Sequence, residues 1–189
     1  MRPRPDRSAE HELQAAPAIE SERLHLVLLG LDFFAASLEG RIAHAEALID
    51  AHLPASWPEP HARSVMDRRA RQIAEDPASA PWLLRAMVRR DNREVVGYIN
   101  FHGAPDDEGR AELGYTVFEE HRRRGYATEA MQAMMNWARQ EHGVQRFLLS
   151  ISPQNAPSLG LAAKLGFAQV GKQMDLEDGL EYVFALMLA

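Results

Sequence analysis

Apolar and polar positions change their period several times along the chain. From Ile19 to Leu29 (IESERLHLVLL) they alternate, with Leu24, Leu26 and Leu28 set against Arg23, His25 and Val27, which predicts a strand. A helical stripe then runs through Phe34, Leu38, Ile42, Ala45 and Ile49. It predicts one helix, capped by Asp32 and reaching about Leu53. The proline-rich PASWPEPH that follows argues against regular helix. A second helix is expected from Ser64 to Glu75, ended by Asp76-Pro77. Trp82 to Arg90 and Glu94 to Gly103 read as strands joined by the turn-like DNRE. After the APDDEG turn, Ala111 to Phe118 reads as a third strand of this meander.

The period then becomes helical. Ala127, Met131, Met134 and Ala138 mark a helix from Ala127 to His142, with Gly143 as a left-handed C-cap. Arg146 to Ile151 is a compact apolar strand, and Asn155 to Leu165 a short helix closed by Gly166. Phe167 to Lys172 and Leu180 to Leu188 complete the pattern as a final strand pair. A strand–helix–strand unit thus lies inside a mostly antiparallel set. Its strands, 111–118 and 146–151, should run parallel because a helical crossover joins them. The expected fold class is α+β, in α/β/α layers: a mixed, mostly antiparallel sheet with one parallel pair and helices on both faces. Residues 1–17 read as a flexible tail, and 18–189 as one domain.

Composition narrows the chemistry. No cysteine is present, which removes disulfides, cysteine zinc sites and a cysteine acyl-enzyme. The formal charge of −6 makes nucleic acid a poor partner. No apolar run has the length of a membrane span, and the N-terminus lacks the apolar centre of a signal peptide. A cytoplasmic protein is expected. The eight histidines show no HExxH spacing, so no metal is expected.

Against this acidic background, Arg122, Arg123 and Arg124 stand together before Gly125, in a turn between strand and helix. Gly125 admits backbone conformations that other residues resist. Successive N–H groups of such a turn form an anion nest, and the following helix adds its unpaired N–H groups and partial positive charge. A pyrophosphate would suit such a loop. Neither GxxxxGK[ST] nor GxGxxG occurs, which disfavours a P-loop or a dinucleotide site. The alternative is an ordinary strand-to-helix turn with a solvated basic run.

The string Arg122-x-x-Gly125-x-Ala127 resembles the coenzyme A pyrophosphate signature [Q/R]-x-x-G-x-[G/A] of the GNAT (N-acetyltransferase) family. SISPQNAPSLGLAAKLGF resembles that family's N-x-x-S…K-L-G-F stretch, and IESERLHLVLL its first strand. The likeness covers roughly residues 19–188 and is densest from 111 to 167. The ELGY and RRRGYATEA wording is most like the Rim-type, ribosomal-protein-alanine N-acetyltransferase-like branch.

The resemblance implies a GNAT-like fold and transfer of an acetyl group from acetyl-CoA to an amine. Arg122, Arg123, Arg124, Gly125, Tyr126, Ala127 and Thr128 would cradle the pyrophosphate, mainly through main-chain N–H groups. Val117 sits where the family places an N–H that polarises the thioester carbonyl. Asn155 and Ser158 sit where it holds the pantetheine arm and the sulfur, with helix capping as the alternative for both. Ser158 is the candidate donor to the departing thiolate. The tyrosine that many members use as general acid is replaced here by Ala162.

Glu112 is the candidate general base, on a strand face with Gly114, Thr116 and Phe118. The alternative is a surface or salt-bridged glutamate. Tyr98, Asn100 and His102 alternate onto one face as candidate linings of an acceptor pocket, while His121 is expected to be solvated. The acceptor is a small-molecule amine or a protein N-terminus, and the chain a monomer or homodimer. Transfer of a longer acyl group, or a non-catalytic acyl-CoA-binding regulator, are the rival readings.

Overall fold

Three helices, not two, fill the stretch between the first strands and the meander. In the structure, a computed structural model that describes residues 17–175 and 179–188, α1 spans Leu31–Leu38 and α2 spans Ile42–Ile49. The apolar stripe crosses both, but Gly40 between them takes φ +75, a conformation no helix continues through. The N-cap of α1 is Gly30 rather than Asp32, which sits in the first turn, where a carboxylate favours the helix dipole. The third helix, α3, spans Pro60–Glu75, so it begins inside the proline-rich segment. Proline is suited to the first helical position, and the Glu59 carboxylate caps the turn by accepting from the Ala62 N–H at 2.8 Å. Trp82 is not in a strand. It closes a 3₁₀ turn, Pro77–Trp82.

The strands are β1 Ile19–Glu20, β2 Leu24–Leu28, β3 Arg85–Arg89, β4 Val95–Phe101, β5 Arg110–Val117, β6 Arg146–Ile151, β7 Ala168–Asp175 and β8 Gly179–Met187. They form one eight-stranded sheet in the order β1-β2-β3-β4-β5-β6-β8-β7. Helix α4, Tyr126–His142, carries the chain from β5 to β6, and α5, Ala156–Lys164, follows β6. Among the described strands, only β5 and β6 pair in parallel, as a helical crossover requires. The expected mixed sheet is therefore observed.

Helices cover both faces. On one, α4 and α5 pack Met131, Met134 and Ala162 against Leu24, Leu26, Ile99, Phe101 and Phe147. On the other, α1 to α3 pack Phe33, Phe34, Val65 and Met66 against Leu84, Ala86, Val88 and Tyr98. Every residue of β4 is buried, which fits its run VVGYINF, apolar apart from Asn100 and the Tyr98 hydroxyl. Gly97 lets β4 approach β5, since a β-carbon there would lie 2.2 Å from the Thr116 carbonyl oxygen. Residues 1–16 of the expected tail lie outside the described residues. Among those described, no helix is long and apolar enough to cross a membrane.

Candidate active site

The parallel pair opens almost as soon as it forms. Pairing joins Arg110, Ala111 and Glu112 to Arg146, Phe147 and Leu148 and then stops, although β5 continues to Val117 and β6 to Ile151. Main-chain parity shows what this leaves in the gap. Glu112 accepts from the His102 N–H, and the Phe118 N–H donates to Val96, so even-numbered residues bond toward β4. Strand alternation then turns the amides of Tyr115 and Val117, beyond the last pair, the other way, into the opening. The Val117 carbonyl is already engaged by Arg122 Nε at 3.1 Å.

Below this opening lies the arginine loop. Arg123 (φ +62) and Gly125 (φ +86) are both left-handed, which curls the backbone of Arg122–Gly125 into a concavity. Helix α4 starts directly after Gly125 with no side-chain cap. The first N–H groups of an α-helix have no intrahelical acceptor, so those of Tyr126, Ala127 and Thr128 are available to an anion. A cleft of about 680 Å³ runs along this surface, lined by Val117, Arg122, Arg123, Gly125 to Thr128, Asn155 and Ser158.

An N-terminal residue props the loop from behind. Arg23 donates from Nη1 to the Arg124 carbonyl at 3.0 Å and from Nε to Glu129 at 2.7 Å, with its guanidinium 4.9 Å above the Tyr126 ring. Burial pushes the Glu129 carboxyl up, but donation from the Arg23 N–H, the Ser21 hydroxyl and the Arg23 guanidinium outweighs it, leaving it below its ordinary value.

A second cavity, about 390 Å³, opens on the opposite side of β5 between that strand and α3. Tyr115, Thr116, Asn155 and Ser158 line both spaces. Asn100 pairs with Gly114 and Tyr98 with Thr116, so the alternating face of β4 contributes Tyr98, Asn100 and His102. Gly114 is bare for a reason: a β-carbon there would sit 2.8 Å from His102 Nε2. His102 Nδ1 faces the Glu112 carboxylate at 3.6 Å. Glu112 also accepts from Ser150 Oγ at 2.6 Å, and Gln173 Nε2 donates to Ser150 Oγ and to Glu181, each at 3.1 Å. This chain of contacts joins the residue that follows β4 to four strands, β5 to β8. Burial pushes the Glu112 carboxyl up, while His102, Ser150 and Arg69 together bring it below its ordinary value. It is ionised at neutral pH. Arg69 is buried on α3, holds the His102 carbonyl at 3.2 Å, and burial lowers its pKa to about 10.

At the boundary between the cavities, the Tyr115 and Ser158 hydroxyls are 3.0 Å apart. Burial pushes the Tyr115 phenol above its ordinary value, against a smaller lowering by Ser158. Asn155 caps α5, its side-chain oxygen accepting from the Ser158 N–H at 3.2 Å. That leaves its amide N–H groups for the cleft.

Residues 29–168 match the family described as the acetyltransferase (GNAT) domain. The chain belongs to the GNAT acetyltransferase family. It is 38% identical over 86 residues to the uncharacterized N-acetyltransferase YjdG of Bacillus subtilis (strain 168), covering 46% of this chain and 49% of that protein. It is 30% identical over 78 residues to the ribosomal-protein-serine acetyltransferase of Escherichia coli (strain K12), covering 41% and 44%. The chain thus spans about half the length of the curated relatives it matches. In fold it resembles RimL, a ribosomal L7/L12 alpha-N-protein acetyltransferase solved with coenzyme A, with TM-score 0.63, 16% identity, and 90% and 98% of the two chains covered.

Within this GNAT fold the residues singled out from sequence fall in two groups. Val117, Arg122, Arg123, Gly125, Tyr126, Ala127, Thr128, Asn155 and Ser158 gather on the larger cleft. Arg124 contributes its carbonyl to Arg23 and is not among the cleft's lining residues. Glu112 lies behind the smaller cavity, reached through His102 and Ser150, and does not itself line it. His121 is buried rather than solvated, 6% exposed, with Nε2 3.4 Å from Glu94. Arg69, Gln173 and Glu181 had no motif to mark them, and Arg23 and Ser150 lie inside motif strings that give them no role. Tyr115 lies in the ELGY string, which likewise gives it no role.

Proposed function

We propose that the protein transfers an acetyl group from acetyl-CoA to a primary amine by direct attack in a ternary complex. The observation that carries this reading is the gap in the sheet. Free main-chain amides of β5 open there above an uncapped helix N-terminus, and a separate cavity meets the cleft at Ser158. The fit to acetyl-CoA rests on donor chemistry. Arg122 to Thr128 offer main-chain N–H groups to a diphosphate, Asn155 offers its amide N–H groups to the pantetheine amides, and Val117 an N–H to the thioester carbonyl. When bound, acetyl-CoA supplies the activated acyl carbon.

The chain's own groups do the rest. An α-amine, with a pKa of about 7.7–8.0, is largely protonated at neutral pH and must lose a proton before it attacks. His102 presents Nε2 over Gly114 in the acceptor cavity, and the ionised Glu112 holds its other nitrogen side. The Glu112–His102 pair is thus the base, with Glu112 acting through His102. The Val117 N–H stabilises the charge that develops on the carbonyl oxygen, and Ser158 stands beside the leaving sulfur.

The acceptor class follows the chain's likeness to ribosomal-protein acetyltransferases, so peptides with free N-termini belong in the panel beside small amines. This reading takes residues 18–189 as one acyltransferase domain in the cytoplasm, acting as monomer or homodimer. Calorimetry with coenzyme A and acetyl-CoA, followed by a thiol-release assay over that amine panel, tests it. Micromolar binding with release stimulated by at least one amine is expected. Absence of binding to both compounds removes the proposal.

A further inference from the structure

The departing sulfur needs a proton or a strong hydrogen bond, and the residue beside it is poorly equipped to supply a proton alone. A serine hydroxyl that gives up its proton becomes an alkoxide unless another donor replaces that proton at once. Ala162, on the same helix, is fully buried and carries no donor. Tyr115 is placed differently. It belongs to the stretch of β5 beyond the last pairing with β6, its hydroxyl is 3.0 Å from that of Ser158, and both residues line the donor cleft and the acceptor cavity. The reacting atoms of the two substrates meet only where those spaces meet.

We infer that Tyr115 is the proton source for the leaving thiolate, delivering through the Ser158 hydroxyl. As the amine nitrogen's C–N bond is made, the C–S bond breaks and its electron pair stays on sulfur. Sulfur takes the Ser158 proton and Ser158 takes that of Tyr115. His102 passes the ammonium proton to bulk water before attack and takes the second nitrogen proton as the amide forms. That second proton returns to Tyr115 through water in the acceptor cavity, so each turnover closes with one proton released. Burial keeps the phenol protonated at working pH, and the Asn155 cap fixes the first turn of α5 that aims Ser158. Tyr115 touches Ser158, not the substrate, so it acts as a positioning and proton-supplying group.

The inference rests on the acetyl-CoA reading of the cleft, and one arm of its test needs no acceptor. Tyr115→Phe, Ser158→Ala and the double variant are titrated with coenzyme A bound, and the thiolate is followed by its ultraviolet absorbance. A donor pair aimed at sulfur stabilises the thiolate, so the wild type should hold the bound thiol below its free value of about 8.5. Tyr115→Phe should return it upward by about one unit, with coenzyme A affinity unchanged. In the kinetic arm Tyr115→Phe should lower kcat about 100-fold at unaltered KM for acetyl-CoA, as removal of an acid-base group does. The double variant should be no slower than Ser158→Ala, because the two groups form one relay. A bound thiol that titrates identically in wild type and Tyr115→Phe, an unchanged kcat, or losses that multiply in the double variant each overturn the inference. A wild type that shifts the bound thiol but acetylates no amine overturns the proposed function while leaving the hydroxyl pair assigned.

Discussion

The two cavities on either side of β5 share four lining residues and are built in opposite ways. The larger cleft takes most of its polar surface from one continuous segment, Tyr115 to Thr128, using backbone conformation and a helix end. The smaller draws on α3, β4, β5, β6 and β8, and its polar core is a relay of side chains from Glu181 to His102. A cosubstrate with constant phosphate chemistry can be held by main chain, whose geometry tolerates changes in side chain. An acceptor must be recognised by side chains, and those come from wherever the fold delivers them.

Five substitutions break or sharpen this contrast. The largest effect is expected where both cavities depend on one contact. Gly97→Ala drives a β-carbon into the Thr116 carbonyl and toward Val117 Cα, both backbone atoms that cannot rotate away. A loss of about 3 kcal/mol is expected from the overpacking, read by chemical denaturation. Unchanged stability would show that β4 and β5 are less tightly coupled than the register implies.

Gly125→Val should strike the cleft alone. The left-handed φ of +86 is strained for any branched residue, by about 1–2 kcal/mol. Meanwhile the new β-carbon presses on Arg23 Nη2 at 3.2 Å. Coenzyme A affinity is expected to fall about 30-fold by calorimetry, with the acceptor cavity intact. Gly114→Val is its mirror image. The β-carbon would meet the His102 ring, a movable side chain, so the fold survives while the ring is displaced. A roughly tenfold loss in kcat is expected with coenzyme A affinity unaltered. Equal losses of affinity in both variants would collapse the distinction between the cavities.

Smaller effects test the supports. Arg23→Ala removes the prop on the Arg124 carbonyl and should raise the dissociation constant for coenzyme A about threefold, in line with one exposed charge-assisted hydrogen bond. Glu129→Gln probes the same support through pH. Its carboxyl is held below the ordinary 4.5 in the folded protein. The stabilisation is therefore fully present above about pH 4.5 and is lost as pH falls through the lower folded value. The wild type should lose about 0.5 kcal/mol more than the variant on acidification, the scale of a surface ion pair. Melting curves from pH 7 to 3 measure it, and parallel curves would contradict it.

The cleft was legible because its determinants are local. Gly125, the arginines and the period change at Ala127 lie within a few residues, and β-strand alternation already separates Val117 from Glu112. The early helices were less legible. The apolar stripe from Phe34 to Ile49 continues through Gly40, so periodicity alone could not register the break. Pro60 reads as a breaker in isolation, yet with Glu59 before it becomes a start signal. Glu112 was found by its strand face, but its distance from the cavity depends on His102 and Ser150, 10 and 38 residues away.

The sequence by itself determined most of the strands, the parallel crossover and the strand–loop–helix turn at Gly125, because each follows from short-range periodicity and turn chemistry. Only the tertiary structure decided that β5 and β6 part after three pairs. It also brought Tyr115 against Ser158 and set His102 between Glu112 and the smaller cavity. Those outcomes depend on register and packing between segments far apart in the chain, and no local pattern encodes a distance across a sheet.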